Sequence, residues 1–204
     1  MKLELDHIAV AAETLEEGRA FIEDALGVRL QRGGKHARFG THNMLLGLED
    51  GLYLEVIAID PDAVAPGRPR WFDLDRFEGP PKIGNWICRT SSLDDATEMF
   101  PEAGKPLRMT RDDLVWHMAV PETGILPFDD CFPALMAWGN IAHPTTRLPP
   151  SGCRLRRLTI QHPDADDLQR VLGESLRDMR VVFKTGAPRI SAIFDTPSGT
   201  KVVA

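Results

Sequence analysis

Eight residues, Leu52-Tyr-Leu-Glu-Val-Ile-Ala-Ile59, constrain this chain more than any others. At strand periodicity Leu52, Leu54, Val56 and Ala58 point one way, and Tyr53, Glu55, Ile57 and Ile59 the other. A strand apolar on both faces is covered on both faces, so it belongs inside a layered sheet. Glu55 is the exception. Burying an unpaired carboxylate costs several kcal/mol or forces protonation. Glu55 therefore either reaches solvent near a strand end, or meets a partner that is a cation, a hydrogen-bond donor or a metal.

The surrounding chain supplies more strands and short helices. Leu3 to Val10 alternates as a strand, with His7 on the face of Leu3, Leu5 and Ala9. Thr14-Leu-Glu-Glu17 is a capping box, Leu15 to Leu26 carries an apolar stripe, and Gly27 stops the helix. Val28-Arg-Leu-Gln31 is a short strand candidate, and Arg32-Gly-Gly-Lys-His36 reads as a basic turn or loop. Met44 to Leu48 and the eight-residue strand flank an Asp-Gly hairpin signal. Residues 1–60 thus read β-α-β-β-β. Residues 61–82 are rich in Pro, Gly and charge and read as a connection, with Trp71-Phe72 as an aromatic anchor or lid.

The same order recurs twice. In residues 83–142 a strand, Ile83 to Cys88, precedes a helix from Ser91. Strands follow at Leu107–Thr110 and Leu114–Val120, joined by a turn at Arg111-Asp-Asp113. A last strand lies within Phe132–Trp138, its regular part pushed later by Pro133. After a Pro-rich connection, 143–154, residues 155–204 read as strands Leu155–Ile160, Arg180–Lys184, Arg189–Phe194 and Thr200–Val203, with a helix over Asp164–Leu176. The expected class is α+β, built of repeated βαβββ units, and the spacing suggests duplicated supersecondary elements.

Several function classes are disfavoured. A net charge of −6 with no long basic run gives no nucleic-acid footprint. No apolar stretch is long enough to span a bilayer. The N-terminus lacks a signal-peptide pattern, and Cys88, Cys131 and Cys153, odd in number and without CxxC spacing, read as free thiols; a cytoplasmic protein is the expectation. There is no phosphate-binding glycine loop, no GxGxxG after a strand and no GxSxG elbow.

Leu5-Asp-His-Ile-Ala-Val10 followed by a capped helix, Gly40-Thr-His-Asn43 and Asp50-Gly-Leu-Tyr-Leu-Glu-Val56 together resemble a glyoxalase-like domain of the vicinal oxygen chelate superfamily. Trp138, His143-Pro144 and Leu158-Thr-Ile-Gln-His-Pro163 extend the likeness over nearly the whole chain. The resemblance implies paired βαβββ units whose mixed sheets curve into a half-open cup. It also implies a divalent metal (zinc, nickel, manganese or iron) with one ligand from the first and one from the fourth strand of each unit. His7 and Glu55 take those positions in the first unit, and imidazole nitrogen with carboxylate oxygen suits such an ion. The second unit offers Asn85 and Met136 or Ala137, and the third Arg157 and Val203, none of which completes the set.

Further candidates follow. His42 and His117 are candidate proton shuttles beside Glu55, weighed against backbone capping for His42 and an ordinary core or edge role for His117. Asn43, Trp71, Trp86, Trp116 and Trp138 are candidate substrate contacts, because small-molecule pockets are commonly aromatic-walled; core packing accounts for the tryptophans equally well. Two functions remain: an enzyme of isomerase, lyase or dioxygenase type acting on a small oxygenated metabolite, with His7 and Glu55 at its centre, or a metal-free protein that binds and sequesters a small molecule. A third unit without a mate suggests a homodimer.

Overall fold

The computed structural model describes residues 1–111 and 114–204. The turn expected at Arg111-Asp-Asp113 falls on residues 112 and 113, outside the described ones. The first sixty residues form β1 (Glu4–Ala11), α1 (Leu15–Leu26), β2 (Gln31–His36), β3 (Thr41–Gly47) and β4 (Tyr53–Ile59). The Thr14 side chain accepts the Glu17 N–H, and Gly27 closes α1 in the left-handed conformation that a Cβ would disfavour. The second set is β5 (Lys82–Arg89), α2 (Leu93–Met99), β6 (Lys105–Arg111), β7 (Leu114–Val120) and β8 (Ala134–Ala137).

These eight strands make one mixed sheet in the order β2-β3-β4-β1-β5-β8-β7-β6. Each set places its first strand parallel to its fourth, and the two first strands, β1 and β5, join antiparallel at the centre. The sheet curls until its two edges approach, and the Arg38 guanidinium donates to the Arg108 carbonyl at 3.2 Å across that gap. The fold is therefore α+β with a curved half-barrel, as the resemblance implies.

Residues Arg32–His36 are strand and not loop, which corrects the sequence reading. The regular pairing of β2 with β3 is interrupted between Arg32 and Lys35, where Gly33 and Gly34 form an irregularity. Glycines depress strand propensity, so the segment looks like a turn in sequence, but here they permit a close approach. A Cβ on Gly33 would lie 1.9 Å from Asn43 Oδ1.

The last fifty residues hold β9 (Arg154–His162), α3 (Ala165–Leu172), β10 (Val181–Thr185), β11 (Arg189–Thr196) and β12 (Gly199–Val203). The expected helix over Asp164–Leu176 is shorter, ending in a 3-10 turn at Gly173–Ser175. The element order repeats the first two sets, but the strand order does not. This sheet runs β10-β9-β11-β12, with β9 parallel to β10 and antiparallel to β11. It covers the convex face of the large sheet beside α1: Trp86 of β5 meets Phe183 edge-on at 6.3 Å, and the Cys131 thiol reaches the Gln161 carbonyl at 3.5 Å. The third segment thus packs against the rest of its own chain instead of forming a cup of its own.

Helix α1 lies close on β4 because Gly18 faces it; a Cβ there would come within 2.4 Å of Val56 Cγ1. All three cysteines are buried free thiols. Among the described residues no helix is long and apolar enough to cross a membrane.

Candidate functional site

Strand register decides which side chains face the concave side of the cup. His7 pairs with Tyr53 and Ala9 with Glu55, which puts His7, Tyr53 and Glu55 on one face. Asn43, paired with Ile57, and His36, paired with Thr41, share that face from β3 and β2. From the other half come Arg111, Trp116, Met118, Met136 and Trp138, and from the connection Trp71 and Phe72. All of these except Asn43 line a cavity of about 20 Å³, room for one or two ordered waters.

Glu55 is buried, at 6% exposure, and is fully partnered. The Asn43 side-chain N–H donates to its Oε1 at 2.5 Å, and His7 Nε2 lies 3.5 Å from its Oε2. On the far side of the ring, His7 Nδ1 donates to Asp6 Oδ1 at 2.7 Å, and the Tyr53 ring stacks on the imidazole at 4.2 Å. Asp6 is a buried hub. Besides His7 it accepts from His143 Nε2 at 3.0 Å, from Trp138 Nε1 at 3.0 Å and from Arg89 Nη1 at 3.4 Å.

These contacts set the charge states. Burial alone would raise the Glu55 carboxyl, but the adjacent His7 ring and its charge, with His36 and the Asn43 hydrogen bond, overcome it and bring it down to about 2. Burial alone would lower His7, but its bonds and charge interactions with Asp6 and Glu55 raise it above the usual histidine value. Asp6, despite burial, is held well below the carboxylate range by His143 and His7. His36 behaves oppositely. Burial pushes it down to about 4, so near neutrality it is uncharged. Its Nδ1 meets Thr41 Oγ1 at 3.1 Å, and its Nε2 lies 3.5 Å from the Asn43 amide nitrogen. Asn43 Oδ1 accepts the Gly34 N–H at 2.8 Å, so the glycine irregularity in β2 orients the amide that orients Glu55. Gly33→Ala is expected to push Asn43 away and cost about 1–3 kcal/mol as an overpacked substitution. Urea unfolding of the variant, with unchanged stability as the contrary result, checks this.

The structure brings His7, Glu55, Asn43, Trp71, Trp116 and Trp138 together. It separates three other candidates. His42 alternates with Asn43 along β3 and pairs with Ala58, so it faces away from the cup. His117 is exposed on the convex side of β7, because Trp116 and Met118 take the inward positions. Trp86 is buried on the convex side of β5, its Nε1 donating to the Cys131 carbonyl at 2.9 Å, and it packs under the second sheet instead of lining the cavity.

Asp6, Tyr53 and Arg111 were not among the sequence candidates for the site, and His36 and His143 were read as a loop residue and a junction residue. Strict alternation sends Asp6 to the side opposite His7, but the β1–β5 register shifts between Leu5 and His7, and this bulge lets adjacent side chains meet. The only sequence signal for Asp6 was a second acid buried next to a histidine. Tyr53 could have been found from its parity with Glu55, and Arg111 from its parity with Met109.

The metal implied by the resemblance can be tested against these donors. His7 Nε2 and Glu55 Oε2 are two plausible ligands, with Asp6 holding the ring as an outer-shell carboxylate would. Opposite them stand Trp116, Met118, Met136 and the Arg111 guanidinium. Among the described residues no group of three or more His, Cys, Asp or Glu side chains is placed to hold an ion. The residues do not fit a four-ligand centre.

The glyoxalase-like domain family matches residues 5–176. No curated protein sequence matches the chain. Among solved structures, a hypothetical protein from Staphylococcus aureus is similar with a TM-score of 0.66 and 16% identity, over 93% of this chain and 88% of that one. Methylmalonyl-CoA epimerase from Streptomyces coelicolor, in complex with 2-nitronate-propionyl-CoA, gives a TM-score of 0.45 and 16% identity over 69% of this chain and 100% of its own. The epimerase from Mycobacterium tuberculosis gives 0.44 and 18% over 68% and 88%. At these identities the likeness is one of fold. With the family matched across most of the chain and the paired βαβββ half-barrel in place, this protein belongs to the glyoxalase-like domain family of the vicinal oxygen chelate superfamily.

Proposed function

We propose that the cup is the active site of an enzyme acting on a small oxygenated metabolite, with Glu55 as general base and His7 as general acid. The observation that supports this reading is the buried His7–Glu55 contact at 3.5 Å, fixed from behind by Asp6 and Asn43. At neutral pH the depressed Glu55 carboxyl is an anion able to accept a proton, and the His7 ring beside it holds a proton more tightly than a free histidine does, so a proton acceptor and a proton donor stand side by side. Their separation exceeds a normal hydrogen bond, so neither group is fully committed to the other. Glu55 Oε2 would take a proton from a carbon next to a carbonyl, while the carbonyl oxygen, gaining charge, takes the His7 Nε2 proton. Return of a proton to the neighbouring carbon or to the opposite face completes an isomerisation, and atoms and charge balance without a co-reactant. The single bond from His7 Nδ1 to Asp6 Oδ1 keeps Nε2 turned toward the cup.

Deuterium uptake tests this. Small α-hydroxycarbonyl compounds incubated with the protein in D₂O should gain deuterium at the carbon beside the carbonyl, followed by proton NMR. Glu55→Gln should slow uptake by about 10²–10⁴-fold, the usual span of a lost general base. The tryptophan wall favours a second reading, retention of a small molecule with no chemistry. Compounds that bind without exchange would select it.

A further inference from the structure

We propose that Arg111 is an anion-binding residue of this cavity and that its ligand is a small carboxylate whose apolar body rests against Trp116 and Trp138. This inference rests on the cup being a small-molecule site and goes further by naming the chemistry of the ligand. Arg111 is at an inward position of β6, two residues beyond the fully buried Met109, and it lines the cavity with His7, Tyr53 and Glu55. Its charge adds to the burial that opposes protonation of His36, another lining ring.

The two buried carboxylates of the site are already partnered. Glu55 accepts from Asn43 and faces His7, and Asp6 takes four donors. Arg111 differs: among the described residues no carboxylate stands within ion-pair distance of it. A second donor is also unmatched. The indole N–H of Trp71, another lining residue, is buried with no acceptor. A buried donor left unpaired is costly, and a guanidinium is built to take two oxygens side by side. Two spare donors on an aromatic wall call for a ligand rich in acceptors at one end and apolar at the other, which describes a small organic acid.

Entry requires the lining to part, since the cavity holds only a water or two. All lining residues except Trp71, Phe72 and Trp138 are on strands, and Trp138 is tied to Asp6. Phe72 has a φ of 59°, unfavourable for a bulky side chain, and also borders a neighbouring cleft of about 500 Å³. The Trp71–Phe72 segment is thus the part of the wall shared between the cavity and that cleft.

Tryptophan fluorescence with phenylpyruvate, benzoate and methyl benzoate as probes tests the assignment. The two acids should bind the wild-type chain. Arg111→Gln should weaken them roughly 10- to 150-fold, as for a lost charge-assisted hydrogen bond. Arg111→Lys should recover part of that loss, and methyl benzoate should bind wild type and Arg111→Gln alike. His117→Ala, on the outer face, serves as an unaffected control. Equal binding of benzoate and its ester to wild type, or acid binding unchanged in Arg111→Gln, overturns the anion role and leaves the small-molecule site standing. Failure of all three probes on a folded wild-type protein overturns both.

Discussion

Glu55→Ala is expected to destabilise the protein by about 3–5 kcal/mol, because it removes one partner of a buried pair and leaves His7 Nε2 and the Asn43 amide without their acceptor. The loss should show in urea unfolding at neutral pH, and the His7 titration followed by NMR should move down once one of its two carboxylates is gone. The pH dependence has a definite sign. The folded Glu55 carboxyl is depressed from 4.5 to about 2, so its stabilisation is fully present above about pH 4.5 and disappears as pH falls through about 2. His7 is raised above 6.5, so its stabilisation is fully present below that value and is lost as pH rises through its folded value. In the variant both limbs should flatten. Retention of wild-type stability and of the wild-type His7 titration would show that the two side chains do not form the pair described here.

Trp86→Ala should cost a similar amount, about 3–5 kcal/mol, for an unrelated reason. The indole is completely buried, donates to the Cys131 carbonyl and packs against Phe183 of the four-stranded sheet. Removing it opens a void between the two sheets and leaves the Cys131 carbonyl without that donor. Because Trp86 lies on the convex side, binding of the carboxylate probes should survive in whatever fraction remains folded. A loss of affinity with stability unchanged would place the indole in the cup after all.

Trp86 and Trp116 show why strand alternation alone could not sort the site. Both fall in strands of the second set, and both read equally well as wall or as core. Which face becomes the cup depends on which side α1 and the four-stranded sheet cover, and those contacts run between residues far apart in sequence. His42 and Asn43 are adjacent, so one of them had to face Glu55. Only the β3–β4 register assigns that place to Asn43. Asp6 escaped because a bulge breaks the two-residue period at the position that matters. His36 escaped because the two glycines before it look like a turn, while their absent side chains are what allow Asn43 to sit against β2.

Local sequence was sufficient wherever the physics is local. The Thr14 cap and Gly27 stop bound α1, the Asp-Gly turn joins β3 to β4, and the two-sided apolar run from Leu52 to Ile59 marks an interior strand. Tertiary structure alone decided what Glu55 meets, which strand face is concave, and that the last fifty residues, though ordered β-α-β-β-β, pair their strands differently and cover the cup's outer wall. The physical reason is that element type follows from neighbours along the chain, whereas strand order, register and bulges are fixed by burial and hydrogen bonding between segments separated by dozens of residues.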